Sequence, residues 1–221
     1  MAGLREDKKR RTRQAIADVA LRLFAERGFE AVTVNEIAEA AGVAKVTLFK
    51  YFPAKESLVL HAVEDEDLAG IVTSRPPGQT PLRALRAHFR AFAAEPDIGD
   101  PDELVARMKV IVDSPALTAA ANRLHYGQRR ALARALAGDD GPHPPCESAG
   151  PTVELAVELA AAQISAAVLT LQETFFQRIA SGMPLAEAGR RLLADVDLAF
   201  DLLESGLESG LGSGLQHDPA R

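Results

Sequence analysis

Apolar residues recur at helical spacing along almost the whole chain, and no segment shows the sustained alternation of apolar and polar positions that a half-buried strand has. Residues 12–27 place Ile16, Ala20 and Phe24 on one face and charged residues largely on the other. Gly28 follows, and glycine favours the left-handed conformation that ends a helix. The pattern predicts an all-α fold that begins with an amphipathic helix.

Two short helices separated by a tight turn follow this first helix. Residues 33–36, Thr-Val-Asn-Glu, match a capping box, in which the Thr and Glu side chains satisfy each other's backbone amides. Gly42 ends that helix, and a second one runs from Lys45 to Phe52 and stops before Pro53. This arrangement is what a helix-turn-helix requires, and the second helix is short enough to enter a major groove. An ordinary helix pair inside a bundle is the alternative.

The remaining helices are predicted from the same periodicity. One runs from Lys55 toward Ile71, before the break at residues 75–78, Arg-Pro-Pro-Gly. Others lie near 81–94, 102–113, 116–137, 152–181 and 185–204, with a loop rich in Pro and Gly at 138–151. Ser-Gly-Leu repeats begin at 205, 209 and 213, and their glycines oppose a helix, so we expect a frayed tail rather than a leucine zipper.

Charge is distributed unevenly along the chain. Residues 1–60 carry 11 Lys and Arg against 8 Asp and Glu, whereas residues 61–221 carry 14 against 23. The basic end could therefore face a polyanion while the rest is repelled from it, although a solvated basic end explains the charge equally well. The basic run at residues 8–13 fits an arm or first helical turn close to phosphate, or else a flexible solubilising tail.

Composition excludes several other classes of protein. The single cysteine rules out an intramolecular disulfide framework, and no apolar run reaches the length of a membrane span or a signal core. His143 and Cys146 are too few ligands for a zinc site. His88 and His125 lack catalytic neighbours, and no phosphate-binding loop is present. We therefore expect a cytoplasmic protein that is not an enzyme and has no metal, no cofactor and no membrane partner.

The stretch TVNEIAEAAGVAKVTLFKYFPAKESL at 33–58, with FAERGF at 24–29, resembles the DNA-binding domain of the TetR family of transcriptional regulators. The resemblance covers roughly residues 12–60. It implies a bacterial homodimer with a helix-turn-helix domain at 1–54, a helical ligand-binding and dimerisation domain at 55–204 and a flexible tail at 205–221. It also implies a regulator, more often a repressor, that a ligand releases from a palindromic operator, with helix 55–71 as the lever.

The resemblance assigns individual DNA contacts. Positions that meet the DNA backbone in the family are occupied here by Thr33, Thr47, Phe49, Tyr51 and Lys55, and positions that approach bases by Lys45, Val46 and Lys50. Phe49 stands where Tyr is more usual, and Ala44 and Ala54 stand where Ser is frequent, so some phosphate or capping bonds are lost.

The later helices suggest a dimer interface and a ligand site. The interface is expected on the helices near 152–181 and 185–204, at Leu155, Leu159, Ile164, Val168, Leu171, Phe175, Ile179, Leu192, Val196, Phe200 and Leu203. A largely hydrophobic ligand is expected at Phe89, Phe92, Met108, Ile111, Tyr126, Gln163 and Thr170, although each taken singly is more simply a core residue.

Two other classes of function stay open at this point. The helix-turn-helix could survive only as the scaffold of a ligand carrier or protein-interaction module, which the lysines at 45, 50 and 55 argue against. A helical-bundle enzyme comes third, because it would need a site that no motif in the sequence marks.

Overall fold

The computed structural model describes residues 2–96, 98–138 and 151–214, and within these ranges every regular element is an α-helix. The all-α prediction is thereby confirmed. The helices are α1 Ala2–Arg27, α2 Val34–Ala40, α3 Lys45–Tyr51, α4 Ser57–Glu64, α5 Leu68–Thr73, α6 Pro81–Ala94, α7 Pro101–Asp113, α8 Pro115–Leu136, α9 Pro151–Ala180 and α10 Leu185–Gly214. They form two compact units, one from Met1–Glu66 with Gly99–Leu124, the other from Asp67–Ile98 with His125–Arg221.

The first unit is built around the apolar face of α1. Ile16, Ala20 and Phe24 are buried there, and they belong to one core with Leu48 of α3 and Phe52 just after it. The Phe24 and Phe29 rings lie 5.0 Å apart at a tilt of 52°, which closes the end of α1 over the chain that leads to α2. The three N-terminal helices are thus held by shared burial as well as by their turns.

The second unit is organised around α10, which packs against α6 and α9. Gly189 permits the close approach of α10 to the end of α6, since a Cβ at this position would lie 2.8 Å from the carbonyl oxygen of Ala93. Further along the same pair, Arg86 lies 2.8 Å from Asp197 and 2.7 Å from Asp201. Arg90 also pairs with Asp197, and the two arginines together lower the pKa of the Asp197 carboxyl.

Three helices differ from the sequence predictions in length. The expected helix over 55–71 is two helices, because the Asp67 side chain accepts a hydrogen bond from the Gly70 amide at 2.7 Å and starts a new helix. The first helix begins ten residues before the predicted start at 12. The last continues to Gly214, so residues 205–214 are helical despite their glycines. The expected loop around His143 and Cys146 and the end of the tail, 215–221, lie outside the described residues.

Most of the predicted dimer residues are instead core residues of the second unit. Nine of them are already buried within a single chain, namely Ile164, Val168, Leu171, Phe175, Ile179, Leu192, Val196, Phe200 and Leu203. A helical stripe looks the same in sequence whether it faces its own core or a partner, which is why the pattern misled. Leu155 and Leu159 of α9 do remain exposed, by 59% and 52%, and so do Leu198 and Leu202 of α10, by 62% and 66%.

The apolar surface of α9 has a further consequence. Among the described residues, the segment Val153–Ala180 is long and apolar enough to cross a membrane by length and composition alone. A mostly buried core helix of a globular bundle passes the same test, but only 17% of the apolar window of α9 is buried. Helix α9 does carry the fully buried Phe175 and an ion pair from Arg178 to Asp195 on α10. The expectation of no membrane partner stays a prediction.

Candidate nucleic-acid interface

The start of α2 is fixed by the predicted capping box. The Glu36 amide donates to the Thr33 hydroxyl at 3.3 Å, and the Glu36 carboxylate accepts from the Thr33 amide at 2.7 Å. The Thr33 hydroxyl itself also donates to this carboxylate at 2.7 Å. The two hydrogen bonds that this carboxylate accepts from Thr33, with the bond from Arg27 at 2.8 Å, lower the pKa of Glu36 to about 2. Thr33, assigned to the DNA backbone, therefore already serves the local fold.

The turn between α2 and α3 sets the direction of the second helix. Gly42 has a φ of 65°, which a side chain would disfavour, and the Val43 amide donates to the Ala38 carbonyl at 2.9 Å. The N-cap residue before α3 is Ala44, whose side chain has no oxygen with which to cap the helix. Leu48 is fully buried on the inner side of α3. The structure is thus a helix-turn-helix with the outer side of α3 left open, as predicted.

The open side of α3 carries most of the residues assigned to DNA. Lys45, Val46, Phe49 and Lys50 are exposed, while Thr47 is half-buried. The Lys45 ammonium lies 6.0 Å from the centre of the Phe49 ring, within reach of a cation–π attraction. Two positive charges and two apolar side chains therefore share the surface that would face a major groove. Tyr51, also half-buried, packs against the core of the unit.

Lys55 is used differently from the other lysines. Its ammonium donates to the Phe29 carbonyl oxygen at 2.5 Å and lies 4.2 Å from the centre of the Phe29 ring and 5.6 Å from that of Phe24. Partial burial lowers the pKa of Lys55. The family resemblance implied a phosphate contact for Lys55, but in this structure its charge joins the start of α4 to the loop after α1.

A polar cluster behind α3 was not predicted from the sequence. Arg107 of α7 lies 2.8 Å from His61 Nε2 and 2.8 Å from the Glu103 carboxylate, and the His61 ring meets Phe52 edge-on at 5.9 Å. Burial, then the charges of Arg107 and Arg13, lowers the pKa of His61 to about 4. These residues lie up to 55 positions apart in sequence, so no local signal could have linked them.

The basic N-terminal run is part of α1. Residues 8–11, two lysines and two arginines, are exposed on successive positions of this helix. Arg13, by contrast, pairs with Asp65 at 2.9 Å, and its guanidinium lies 5.5 Å from the centre of the Phe52 ring. The run is helical, but because α1 begins at Ala2 it lies after the first turn rather than in it. Its proximity to phosphate stays a prediction, and Arg13 already has an intramolecular role.

The residues expected to bind a ligand fall in different environments. Ile111 packs against the core of the first unit, and Met108 is half-buried in the same unit. In the second unit, Phe89 lies 6.3 Å from Phe200, and Phe92 lies 6.0 Å from Phe175. The rest of the set is exposed, namely Tyr126, Gln163 and Thr170. The ligand site stays a prediction.

The side chains that could bind a metal ion are scattered over the described parts of the chain. Within residues 2–96, 98–138 and 151–214, no three His, Cys, Asp or Glu side chains are grouped so that they could hold such an ion.

Comparison with known proteins shows that part of the chain is similar to a family of regulatory proteins. Residues 16–62 match the model of bacterial regulatory proteins of the tetR family. The chain is 34% identical over 146 residues to the HTH-type transcriptional regulator TcmR of Streptomyces glaucescens, covering 63% of this chain and 65% of TcmR. It is 36% identical over 87 residues to the HTH-type transcriptional repressor KstR of Rhodococcus jostii, covering 38% of this chain and 40% of KstR.

The chain thus spans just under two thirds of TcmR and two fifths of KstR. A solved structure of NalD, the secondary repressor of the MexAB-OprM multidrug efflux pump in Pseudomonas aeruginosa, shares the fold with a TM-score of 0.51 at 18% identity. That match covers 87% of this chain and 97% of NalD. The relatives are named as transcriptional regulators, which agrees with the prediction that the chain is not an enzyme.

Proposed function

Because the chain belongs to the TetR family of bacterial regulatory proteins, we propose that it is a transcriptional repressor of the bacterial cytoplasm. It binds a palindromic operator as a homodimer, and a small, largely hydrophobic ligand releases it. Repression is proposed because a bound dimer need only obstruct a promoter, whereas activation needs a further surface for the polymerase. The similarity to KstR, a named repressor, points the same way.

The observation that carries this proposal is the outer surface of α3. Leu48 is buried beneath it, while Lys45 and Lys50 stand at the two ends of the exposed side. Lysines can bind phosphate oxygens or the acceptor edge of guanine in the major groove. An ordinary helix inside a bundle would bury this side, yet Val46 on it is 80% exposed.

A homodimer is supported by the leucines that a single chain leaves in water. Leu155 and Leu159 on α9 and Leu198 and Leu202 on α10 are each more than half exposed. A two-fold dimer would also place two copies of α3 on successive major grooves, about 34–36 Å apart. One short helix reads too few base pairs to select a site in a genome, so pairing is needed for specificity as well.

Release by a ligand is proposed as a shift between two populations. A ligand that binds better when the two α3 helices are wrongly placed weakens DNA binding by the ratio of its two affinities. The lever proposed from the sequence was a helix over 55–71. Within the first unit its counterpart is α4, which His61 connects to Arg107 of α7. Phe89 and Phe92, both half-buried, are the residues of the expected ligand set whose aromatic contacts best fit an apolar wall.

The direct test is selection of genomic DNA fragments by the purified chain at physiological salt, with non-specific competitor DNA. We expect enrichment of an inverted repeat with half-sites about one helical turn apart, or a multiple of it. Absence of any enriched motif would favour the scaffold alternative. A reporter driven by the enriched promoter then separates repression from activation, because deletion of the regulator should raise expression in the first case.

A matched pair of variants assigns the phosphate or base contact to α3. Lys50→Ala removes a charge from the proposed interface, and Lys109→Ala removes one from an exposed lysine of α7. We expect Lys50→Ala to weaken operator binding and to lower the salt slope by about 1 for each phosphate that is no longer neutralised. Lys109→Ala should change neither. Equal affinity and equal slope for the two variants would remove Lys50 from the interface.

A further inference from the structure

Val46 is the most exposed large apolar side chain among those that the structure describes, at 80%. It stands in the first turn of α3, where an isopropyl group can neither donate nor accept a hydrogen bond. Burial of Leu48 holds α3 in one rotational setting, so Val46 cannot turn inward. The fold therefore keeps an aliphatic group at the front of the proposed recognition surface.

The neighbours of Val46 limit what it can meet. Phe49 and Lys50 lie three and four positions further on and so share its face of the helix, while Lys45 is drawn over the Phe49 ring at 6.0 Å. Lysines at both ends suit phosphates or guanine, which are polar partners. The aliphatic position between them suits an apolar one. In the major groove the base edges offer one apolar group, the C5-methyl of thymine.

We propose that Val46 reads the C5-methyl group of a thymine in each half-site of the operator. This inference rests on the function proposed above and deepens it, because it specifies a base feature at the same site. The alternative partner for Val46 is the sugar of the DNA backbone, a contact that every sequence offers and that would give no preference for thymine.

The size of the effect follows from the burial of one methyl group. About 0.8 kcal/mol per buried carbon corresponds to roughly a fourfold change in affinity. A palindromic operator repeats the contact, so replacing both symmetry-related thymines should weaken binding by about 15-fold. Uracil is the right probe, because it lacks the methyl group and keeps the pairing edge of thymine and its O4 acceptor in the major groove.

The experiment uses the full chain and the operator obtained by fragment selection. Each thymine of the half-site is replaced by uracil in turn, in both halves together, and affinity is measured for the unmodified protein, Val46→Ala and Val112→Ala. Val112 is the matched control, an exposed valine of α7 at 71%. Alanine at position 46 should not disturb folding, since Val46 lies outside the core and alanine is the better helix former.

We expect one thymine position at which uracil weakens binding of the unmodified protein and of Val112→Ala by about 15-fold and weakens binding of Val46→Ala much less. The non-additivity of the two changes isolates the Val46–methyl contact from any effect of uracil on DNA shape. Insensitivity to uracil at every position, or equal sensitivity in Val46→Ala, would overturn the inference and leave the proposed function standing. Failure to enrich any operator would overturn both.

Discussion

The four exposed leucines of α9 and α10 allow a quantitative prediction about the stability of the proposed dimer. The perturbation is the double substitution Leu198→Ala and Leu202→Ala, which shortens two side chains that are 62% and 66% exposed in the single chain. Neither leucine is part of the core, so the fold of the chain should be retained. The substitutions add no charge and favour the helix, so any weakening of the dimer reflects burial that the single chain does not provide.

The magnitude follows from the area that is still open. Leu→Ala removes three carbons, worth about 2.4 kcal/mol if they pass fully from water to an apolar contact. Because about three fifths of each side chain is exposed, some 1.5 kcal/mol per leucine remains to be gained by pairing. Two-fold symmetry counts each residue twice. The double variant should therefore weaken the dimer by about 6 kcal/mol, or roughly four orders of magnitude in Kd.

Sedimentation velocity over a wide concentration range measures this weakening directly. The unmodified chain should sediment as a dimer and the double variant as a monomer at the same concentration. Val112→Ala, an exposed valine in the first unit, should leave the dimer unchanged. A monomeric unmodified chain, or a double variant with unchanged Kd, would refute the assignment. Pelleting of the unmodified chain with phospholipid vesicles would assign the apolar face of α9 to a membrane.

Three further predictions concern the folded chain. Lys55→Met should lower the free energy of unfolding in urea by about 1–2 kcal/mol, because it removes the hydrogen bond to the Phe29 carbonyl; no change would mean that this bond adds nothing. Gly189→Ala should lower Tm, because its Cβ would lie 2.8 Å from the Ala93 carbonyl oxygen and the strain of about 1–3 kcal/mol exceeds the gain in helix propensity; a higher Tm would contradict this close packing. The pKa of His61 is lowered from 6.5 to about 4, so the unfolded chain takes up a proton in that window before the folded chain does. The free energy of unfolding should thus fall by about 1–2 kcal/mol, allowing for solvent screening, as the pH drops from 6.5 to about 4. His61→Gln should flatten this dependence of stability on pH in urea titrations at successive pH values.

The sequence predicted well those features that depend on neighbouring residues. The capping box at Thr33 and Glu36 is formed, and Gly42 has the positive φ that its position suggested. Helix α3 was predicted to end at Phe52 and ends at Tyr51, one residue earlier. Each of these features is decided within four residues along the chain, because caps and glycine turns act through local backbone groups. The helix-turn-helix could therefore be predicted from pattern and resemblance alone.

Features decided by tertiary contacts were predicted less well. The apolar stripe of α9 includes the buried Phe175 and the exposed Leu159, and only packing against α10 separates the two. The family resemblance implies a phosphate contact for Lys55, yet the ring of Phe29 and its carbonyl oxygen attract the charge of Lys55. Asp67 divides the helix expected over 55–71, although the apolar spacing on either side of it is continuous. In the first two cases the competing partner lies outside a local window of the sequence, whereas the Asp67 cap accepts a hydrogen bond from the Gly70 amide three residues on and is itself a local signal.

The contacts of His61 connect these two kinds of feature. Residues 99–124 are distant in sequence from the helix-turn-helix but belong to the same compact unit. Arg107 contacts His61 on α4, and the His61 ring contacts Phe52, the C-cap residue that follows α3. Phe52 is fully buried, so its ring has no free space into which it could move. A shift of α7 that moved His61 would therefore displace Phe52 and with it the end of α3. The placement of the proposed recognition helix thus depends on a helix that the sequence pattern assigned to ligand binding.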